Sequence, residues 1–313
     1  MSRSEPTIAV VIETLNLDMG PAIDLPAVIA GLARQTYSGD KIDIVVVVDA
    51  TNPTLSAFVR DTYPGVRLVE TTNSTYYTMK NAGAAVTTAD IIAILDSDCV
   101  PGPEWAESFV RQIDGGADVV GGRTRYAEGQ PFAQTFNFFN FGYVQADARG
   151  VANSFLPNNV AFKRDVFRQH PFDERIRRSG ASHLLCQQLK ARGYRVVYEP
   201  KMSATHNSYG LGEEMLMRVK AGYDTVNLDS FDTDRVLQES AYMRAGAPAL
   251  FVVCLNRIIF DWRTAVRNRK DLNLSLLQIP YFFVVSPVIR VIELVSGLIT
   301  VLRPHYFRDK YKW

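Results

Sequence analysis

Two carboxylates spaced two residues apart follow an apolar run in the first third of the chain. Asp96 and Asp98 come directly after residues 91–95, with Ser97 between them. A short run of aliphatic and β-branched residues predicts a buried strand, so we expect both carboxylates at its solvent-facing end. Carboxylate oxygens are preferred ligands of Mg²⁺ and Mn²⁺, which also bind diphosphate oxygens. The pair indicates a divalent metal site; the alternative is that Ser97 or Asp98 caps the next helix.

Acidic residues also follow two other apolar runs. Glu13 comes after residues 8–12, and Asp49 comes after residues 42–48. The carboxyl ends of parallel strands meet at one edge of a sheet, and ligands of such sheets bind there. We therefore expect Glu13, Asp49 and Asp96 to share that edge. The alternative for Asp49 is a role in the turn that follows its strand.

The elements that must position these residues follow an alternating pattern. Strands are predicted at 8–12, 42–48, 66–69 and 91–95, and helices at 24–36, 53–63, 77–87 and 103–114. This order predicts an α/β fold with a mainly parallel sheet and helices on both faces. Beyond residue 117 the alternation weakens, with strands predicted at 119–122, 160–162 and 196–198 and a helix at 183–192. From about residue 211 the pattern is helical. We therefore divide the chain into domains 1–210 and 211–313.

Composition excludes several classes of protein. The 313 residues include 34 Lys and Arg against 33 Asp and Glu, and 47% are hydrophobic, which is typical of a globular protein. The net charge of +1 disfavours general nucleic-acid binding, which needs a basic surface. Three scattered cysteines fit a reducing compartment rather than a disulfide framework. The N-terminal apolar run is short and ends at Glu13, so it does not have the form of a signal peptide, and we expect a cytoplasmic protein.

Further motifs resemble glycosyltransferase family 2, which has a GT-A fold. Lys80 and the segment 81–83, Asn-Ala-Gly, stand where that family has a basic residue and Asn-Ala-Gly, ahead of the strand and its Asp-x-Asp motif. Other matches follow in the family's order: residues 10–16, 44–49, 156–164 and 172–174, then Gly180, and His206 after the last strand. The resemblance covers roughly residues 7–210.

The resemblance implies roles for the matching residues. A nucleotide-diphosphate sugar donor would lie across the strand ends, with Mg²⁺ or Mn²⁺ as cofactor. The residues implied to contact the donor are Glu13, Thr14, Asn16, Asp49, Lys80 and Asp96, and those implied to hold the metal are Asp96, Asp98 and His206. The alternative for Lys80 is a solvated helix face, and the alternative for His206 is an ordinary surface or core residue.

One motif departs from the family pattern. The family's acceptor helix opens with Gly-Glu-Asp, and its second acid deprotonates the acceptor hydroxyl; here the residues at 180–183 are Gly-Ala-Ser-His. The candidates for the missing general base are His183, whose ordinary pKa lies near neutrality, and Asp173 or Glu174. The sequence is also consistent with a base supplied by the acceptor, and with a protein that binds the donor without transferring sugar. For His183, the alternative is a polar residue in the first turn of a helix.

The function implied is transfer of a sugar to a glycan or lipid-linked acceptor in cell-surface glycan or glycolipid assembly. Two other classes of function stay open. One is an inactive sugar-nucleotide-binding scaffold. The other is a nucleotidyltransferase, although the glycine-rich basic loop that such enzymes carry after the first strand is missing at residues 13–20.

Two apolar segments have more than one explanation. The aromatic residues within 131–153 are interpreted mainly as a helix face packed on the core (Phe132, Phe136, Phe139 and Tyr143), with sugar stacking or a lipid groove as the alternative. Residues 288–302 are apolar except for a narrow stripe on one helical face, where Arg290 and Glu293 can pair, and prolines interrupt the run before it. That segment predicts an interfacial helix peripheral to the inner membrane face, a core or homodimer helix, or a membrane span.

Overall fold

The computed structural model describes residues 5–15, 24–127, 133–176, 180–207, 210–237, 242–243, 245–269, 272 and 274–311. The strands are β1 Ile8–Glu13, β2 Ile42–Asp49, β3 Arg67–Thr71, β4 Ile91–Asp96, β5 Cys99–Pro101, β6 Val119–Tyr126, β7 Asn159–Lys163 and β8 Val196–His206. The α-helices are α1 Asp24–Ala33, α2 Pro53–Thr62, α3 Tyr76–Ala85, α4 Trp105–Asp114, α5 Ala133–Asn140, α6 Arg164–Gln169, α7 Ala181–Ala191, α8 Leu211–Asn227, α9 Ala247–Arg267, α10 Gln278–Leu302 and α11 Tyr306–Tyr311.

The strands form one mixed sheet in the order β3-β2-β1-β4-β7-β6-β8-β5. β1 pairs in parallel with β2 and with β4, so Glu13 lies opposite Val47 on one side and Asp96 on the other. Both β1 and β4 are buried along their whole length, which explains their unbroken apolar sequences. The α/β fold class is confirmed, and the expected meeting of Glu13 and Asp96 at one sheet edge is observed.

The far side of the sheet differs from the prediction. β8 extends to His206 instead of ending at residue 198, because a register shift between Gly122 and Arg123 of β6 lets the paired strand continue past Pro200. The short strand β5 was not predicted; it pairs antiparallel with the end of β8 and places Cys99 opposite His206. The Asp-Ser-Asp segment is therefore held between β4 and β5.

The chain forms two compact units. The first contains the sheet, and its residues fall within 1–127, 144–177 and 185–207. The second contains α5 and the helices from α8 onward, and its residues fall within 128–143, 178–184 and 208–313.

Helix α3 packs against the sheet through a glycine. A Cβ atom added at Gly83 would lie 2.4 Å from Val11 Cγ1 and 2.7 Å from Val47 Cγ2. Only a residue without a side chain lets α3 approach β1 and β2 this closely. Since α3 also carries Lys80, this contact sets the distance between that lysine and the strand ends.

In the second unit, α10 runs without interruption from Gln278 to Leu302, so the expected break at the prolines is wrong. Pro280 lies in the first turn, where its missing N–H needs no partner, and Pro287 is accommodated inside the helix. The expected pair forms: Arg290 Nη1 lies 2.8 Å from Glu293 Oε2.

Apolar and aromatic contacts complete this unit. Phe138 and Phe139 of α5 are buried and have ring contacts with Phe282 of α10. The core-packing interpretation of the aromatic segment therefore holds for Phe136 and Phe139, which are buried on α5. Tyr143 lies beyond the end of α5 and is half-buried, and Phe132 lies outside the described residues. Among the described helices, α10 is the one long and apolar enough to cross a membrane by length and composition.

Replacing Gly83 with alanine is expected to destabilise the fold by about 1–3 kcal/mol, since the added methyl group overpacks the contact with Val11 and Val47. Chemical denaturation of the purified variant measures the change in free energy of unfolding. Gly65→Ala is the matched control, because a Cβ atom there meets nothing within 4 Å. Equal stability of the two variants would contradict the close packing of α3.

Candidate active site

A buried lysine lies at the centre of the strand-end cluster. Lys80 and Glu13 are fully buried and Asp96 nearly so, and the Lys80 ammonium contacts Asp96 Oδ1 directly. Its Nζ lies 3.8 Å from Glu13 Oε1. The Tyr76 hydroxyl donates a hydrogen bond of 2.7 Å to Asp96 Oδ2. The solvated alternative for Lys80 is therefore wrong. The expectation that Asp96 and Asp98 face solvent is also wrong, since both are buried.

The local sequence explains how α3 delivers this cluster. Tyr76 and Lys80 are four residues apart, so they lie on the same face of the helix, and the Lys80 ammonium stands 4.1 Å from the Tyr76 ring centroid. The helix begins with a capping box in which Thr75 and Thr78 exchange hydrogen bonds. This fixed start holds Tyr76 in the first turn, directly beside the end of β4.

Burial decides the protonation states in the cluster. Removal from water raises the pKa of Glu13 to about 8, although Lys80 acts in the opposite direction. Burial also raises the pKa of Asp96, again opposed by Lys80. One ammonium serves two carboxyl groups, and it contacts Asp96. The arrangement with least buried charge is therefore an ion pair between Lys80 and Asp96 beside a protonated Glu13.

A second cluster forms where β5 meets β8. Asp98 is fully buried, and its Oδ2 lies 3.5 Å from His206 Nε2. The ligand atoms of Asp98, Cys99 and His206 all lie within 4.8 Å of one another. The Tyr126 ring packs edge-on against the His206 ring, with centroids 5.4 Å apart. The cap alternative for Asp98 is wrong, because α4 begins at Trp105 after Glu104 without a side-chain cap.

The donor atoms of the second cluster fit a divalent ion. Two ligands of one ion at about 2.1 Å lie about 3–3.5 Å apart, as Asp98 and His206 do here. A carboxylate suits Mn²⁺ and Mg²⁺, whereas an imidazole suits a transition-metal ion, so the pair favours Mn²⁺ over Mg²⁺. Burial, together with Asp98 and Asp96, raises the pKa of the Cys99 thiol well above its ordinary value. Cys99 therefore stays protonated and lies 3.6 Å from Asp98 Oδ1, as a donor to that carboxylate.

Two residues of the implied donor site have local roles. Asp49 accepts hydrogen bonds from the Thr51 amide and hydroxyl, which lowers the pKa of Asp49 and forms the turn considered as its alternative. The Thr14 hydroxyl donates to the Val47 carbonyl oxygen and ties the end of β1 to β2. Asn16 lies outside the described residues.

The candidates for the general base differ in their surroundings. Asp173 pairs with Arg175 at 2.6 Å, and the hydrogen bonds from Arg175 lower the pKa of Asp173, which makes it a weaker base. Glu174 is exposed and accepts a hydrogen bond from Asn81. His183 lies in the first turn of α7 and is half-buried.

Sequence reasoning missed three polar residues of these clusters. Tyr76 could have been found from its spacing of four residues to Lys80 on a predicted helix. Cys99 could not be placed beside His206 from the sequence, because the strand β5 that positions it was not predicted. Asp24 accepts a hydrogen bond from Asn207, a contact across 183 residues that no local pattern indicates. Burial and the charge of Asp98 raise the pKa of Asp24.

The family of this chain follows from its similarity to known proteins. The sequence profile described as Glycosyl transferase family 2 matches residues 10–171, slightly more than half of the chain. The chain belongs to glycosyltransferase family 2. The resemblance found in the sequence is thereby confirmed, and this glycosyltransferase uses a nucleotide-sugar donor.

Relatives of this glycosyltransferase include two proteins of Haloferax volcanii. Glycosyltransferase AglE is 24% identical over 259 residues, covering 79% of this chain and 83% of that relative. Glucosyl-dolichyl phosphate glucuronosyltransferase is 26% identical over 208 residues, covering 58% of this chain and 63% of that relative, less than two thirds of its length. Among solved structures, the mannosyltransferase PcManGT from Pyrobaculum calidifontis, in complex with GDP-Man and Mn²⁺, aligns with a TM-score of 0.64 at 16% identity, covering 96% of this chain and 88% of that one. At that identity the likeness shows the GT-A fold.

Glu13→Gln is expected to make the stability of the metal-free protein less dependent on pH. The pKa of Glu13 is about 8 in the folded state against an ordinary 4.5, so the folded state binds more protons between those values. Wild-type stability therefore falls as pH rises through that window, and glutamine removes this contribution. With a chelator present, the melting temperature of the variant relative to wild type should be higher at about pH 8 than at about pH 5. The exposed Glu70→Gln serves as control, and parallel pH profiles for wild type and Glu13→Gln would refute a protonated Glu13.

Proposed function

We propose that this protein is a metal-dependent glycosyltransferase that moves a sugar from a nucleotide-diphosphate donor to a glycan or lipid-linked acceptor. The observation that carries the proposal is the pair of Asp98 and His206, 3.5 Å apart at the end of the parallel strands. Ligands of such sheets bind at that edge. Family membership favours glycosyl transfer over nucleotidyl transfer.

The chain's own residues divide the work in this proposal. Asp98 and His206 hold Mn²⁺ or Mg²⁺, and Lys80 and Tyr76 keep Asp96 charged and fixed in orientation beside them. Such an ion supplies positive charge against the negative charge of a leaving nucleoside diphosphate. Asp49, Glu13, Thr14 and Asn16 are assigned to the nucleotide side, as implied by the family pattern.

The proposed setting is the cytoplasm at the inner face of the membrane, in cell-surface glycan or glycolipid assembly. Two observations support it: one relative is named for a glucosyl-dolichyl phosphate, and the exposed side of α10 is apolar. The unit containing the sheet is assigned to donor binding. The helical region after residue 210 is assigned to membrane attachment.

Asp98→Asn is expected to abolish Mn²⁺-dependent nucleotide binding, since a neutral amide cannot replace a carboxylate ligand. The thermal shift produced by GDP with Mn²⁺, measured against GDP with chelator, reports this binding because a ligand of the folded state raises the melting temperature. Asparagine is chosen over alanine because the site is buried and a cavity would cost stability by itself. The exposed Asp165→Asn is the control. A variant with wild-type shifts would place the metal elsewhere.

We also propose His183 as the general base, the role left vacant by the Gly-Ala-Ser-His sequence at 180–183. His183→Ala is then expected to lower turnover about 10²–10⁴-fold, the usual contribution of a general base. Donor binding should be unchanged, and the acidic limb of the pH–rate profile should disappear. Full activity in this variant would exclude His183 and leave Glu174 as the next candidate.

A further inference from the structure

The helix α10 is polar on its buried side and apolar on its exposed side. Its buried polar residues are Ser286, Arg290, Glu293, Ser296 and Thr300. Its exposed residues are Pro280, Tyr281, Phe283, Val284, Val288, Val291, Val295 and Leu302. None of these exposed side chains carries a charge. A helix at the surface of a water-soluble protein has the opposite arrangement, with its polar face outward.

The neighbouring helix α9 adds to the same kind of surface. Its exposed large apolar residues are Phe251, Val252, Leu255, Phe260, Trp262 and Val266. The two helices are in contact, and the Trp262 and Phe283 rings lie 5.3 Å apart. An exposed apolar surface of this extent is rare on monomeric soluble proteins and marks a surface that another apolar phase covers. We call the exposed apolar residues of α9 and α10 named above, taken together, the apolar face.

Four charged groups of these helices, Arg257, Asp261, Arg290 and Glu293, are paired with one another on the inner side. Arg290 donates to Asp261 from Nε and Nη2, each at 2.8 Å, and from Nη1 to Glu293. Glu293 also accepts a hydrogen bond of 3.1 Å from Arg257 of α9 and lies 3.4 Å from Arg218 of α8. Inward pairing of all these charges removes them from the apolar face. Ionisable residues within membrane helices are arranged in this way.

The dimensions and ends of the apolar face fit a lipid bilayer. From Pro280 to Leu302 the helix rises about 33 Å, close to the hydrocarbon thickness of about 30 Å. Basic and aromatic residues stand at both ends: Trp262, Arg263 and Arg267 near the start of α10, and Tyr306, Arg308 and Lys310 after its end. Such residues settle at the two interfaces of a bilayer and attract anionic headgroups.

We propose that α9 and α10 enter the lipid bilayer as a helical hairpin, with the apolar face against the acyl chains. A second copy of the chain fits less well, because interfaces between proteins have a polar rim, whereas the exposed side of α10 is apolar over its full length. The inference rests on the membrane location proposed above and goes further, from peripheral contact to insertion. It does not depend on transfer of sugar.

The test uses the full-length chain expressed in cells and reconstituted into vesicles of phosphatidylcholine and phosphatidylglycerol. The wild type is expected to stay in the membrane pellet after molar salt and after alkaline carbonate, and to float with the vesicles. Val288→Asp places a charge on the apolar face and should lower the floating fraction about 100-fold, the cost of an aspartate at the centre of a membrane helix. Phe58→Asp, at an exposed apolar residue of α2, is the matched control and should float like wild type.

Two further measurements keep the outcomes distinct. The thermal shift with Mn²⁺ and GDP in detergent, on the same samples, separates failure of membrane insertion from failure of the proposed donor site. Should Val288→Asp unfold, Val295→Asp at the same face provides the second variant. Release of the wild type by salt or carbonate would overturn the proposal, as would a detergent-free soluble dimer that Val288→Asp converts to a monomer.

Discussion

The polar cluster at the ends of β1 and β4 depends on the contact between the Lys80 ammonium and the Asp96 carboxylate, both removed from water. A charge buried alone is strongly unfavourable, so each of these groups requires the other. The contact exists only because Gly83 lets α3 approach the sheet closely. The Tyr76 hydroxyl fixes the second oxygen of Asp96. Helix docking, strand register and side-chain charge are thus coupled at one place.

This coupling gives the two aspartates of the Asp-Ser-Asp segment different surroundings. Asp96 ends β4 and is engaged by α3, whereas Asp98 precedes β5 and stands beside His206 at the end of β8. Asp98 therefore belongs to the other half of the sheet, whose strand β8 comes from residues much later in the chain. In the proposed mechanism, Asp96 sets the local charge and geometry, and Asp98 with His206 binds the cation. Glu13, protonated in the cluster, completes it without adding a second buried negative charge.

Much of this arrangement could be predicted from the sequence, and the rest depends on long-range packing. The runs before Glu13 and Asp96 identified two neighbouring strands, because buried parallel strands are continuously apolar. The burial of Lys80 could not be predicted. The small residues of α3 indicate a helix that packs closely, but they do not show which neighbouring side chains become buried in the contact. The strand β5 was missed because its three residues are too few to show a strand pattern. The full length of β8 was missed because Pro200 lies within it, and a proline normally argues against a continuous strand. In α10 the sequence indicated the polar stripe, and only the contacts with Arg218, Arg257 and Asp261 show that the stripe faces inward.

In the proposed mechanism, Lys80 engages Asp96 while Asp98 and His206 bind the divalent ion. Pulsed electron paramagnetic resonance on the protein with Mn²⁺ and GDP tests it most directly, because a coordinated imidazole nitrogen modulates the electron spin echo of the ion. A nitrogen coupling is expected in the wild type, and it should disappear in His206→Gln. It should persist in His170→Gln, because His170 instead contacts Tyr194. Mn²⁺ bound with the nucleotide but without any nitrogen coupling in the wild type would contradict it.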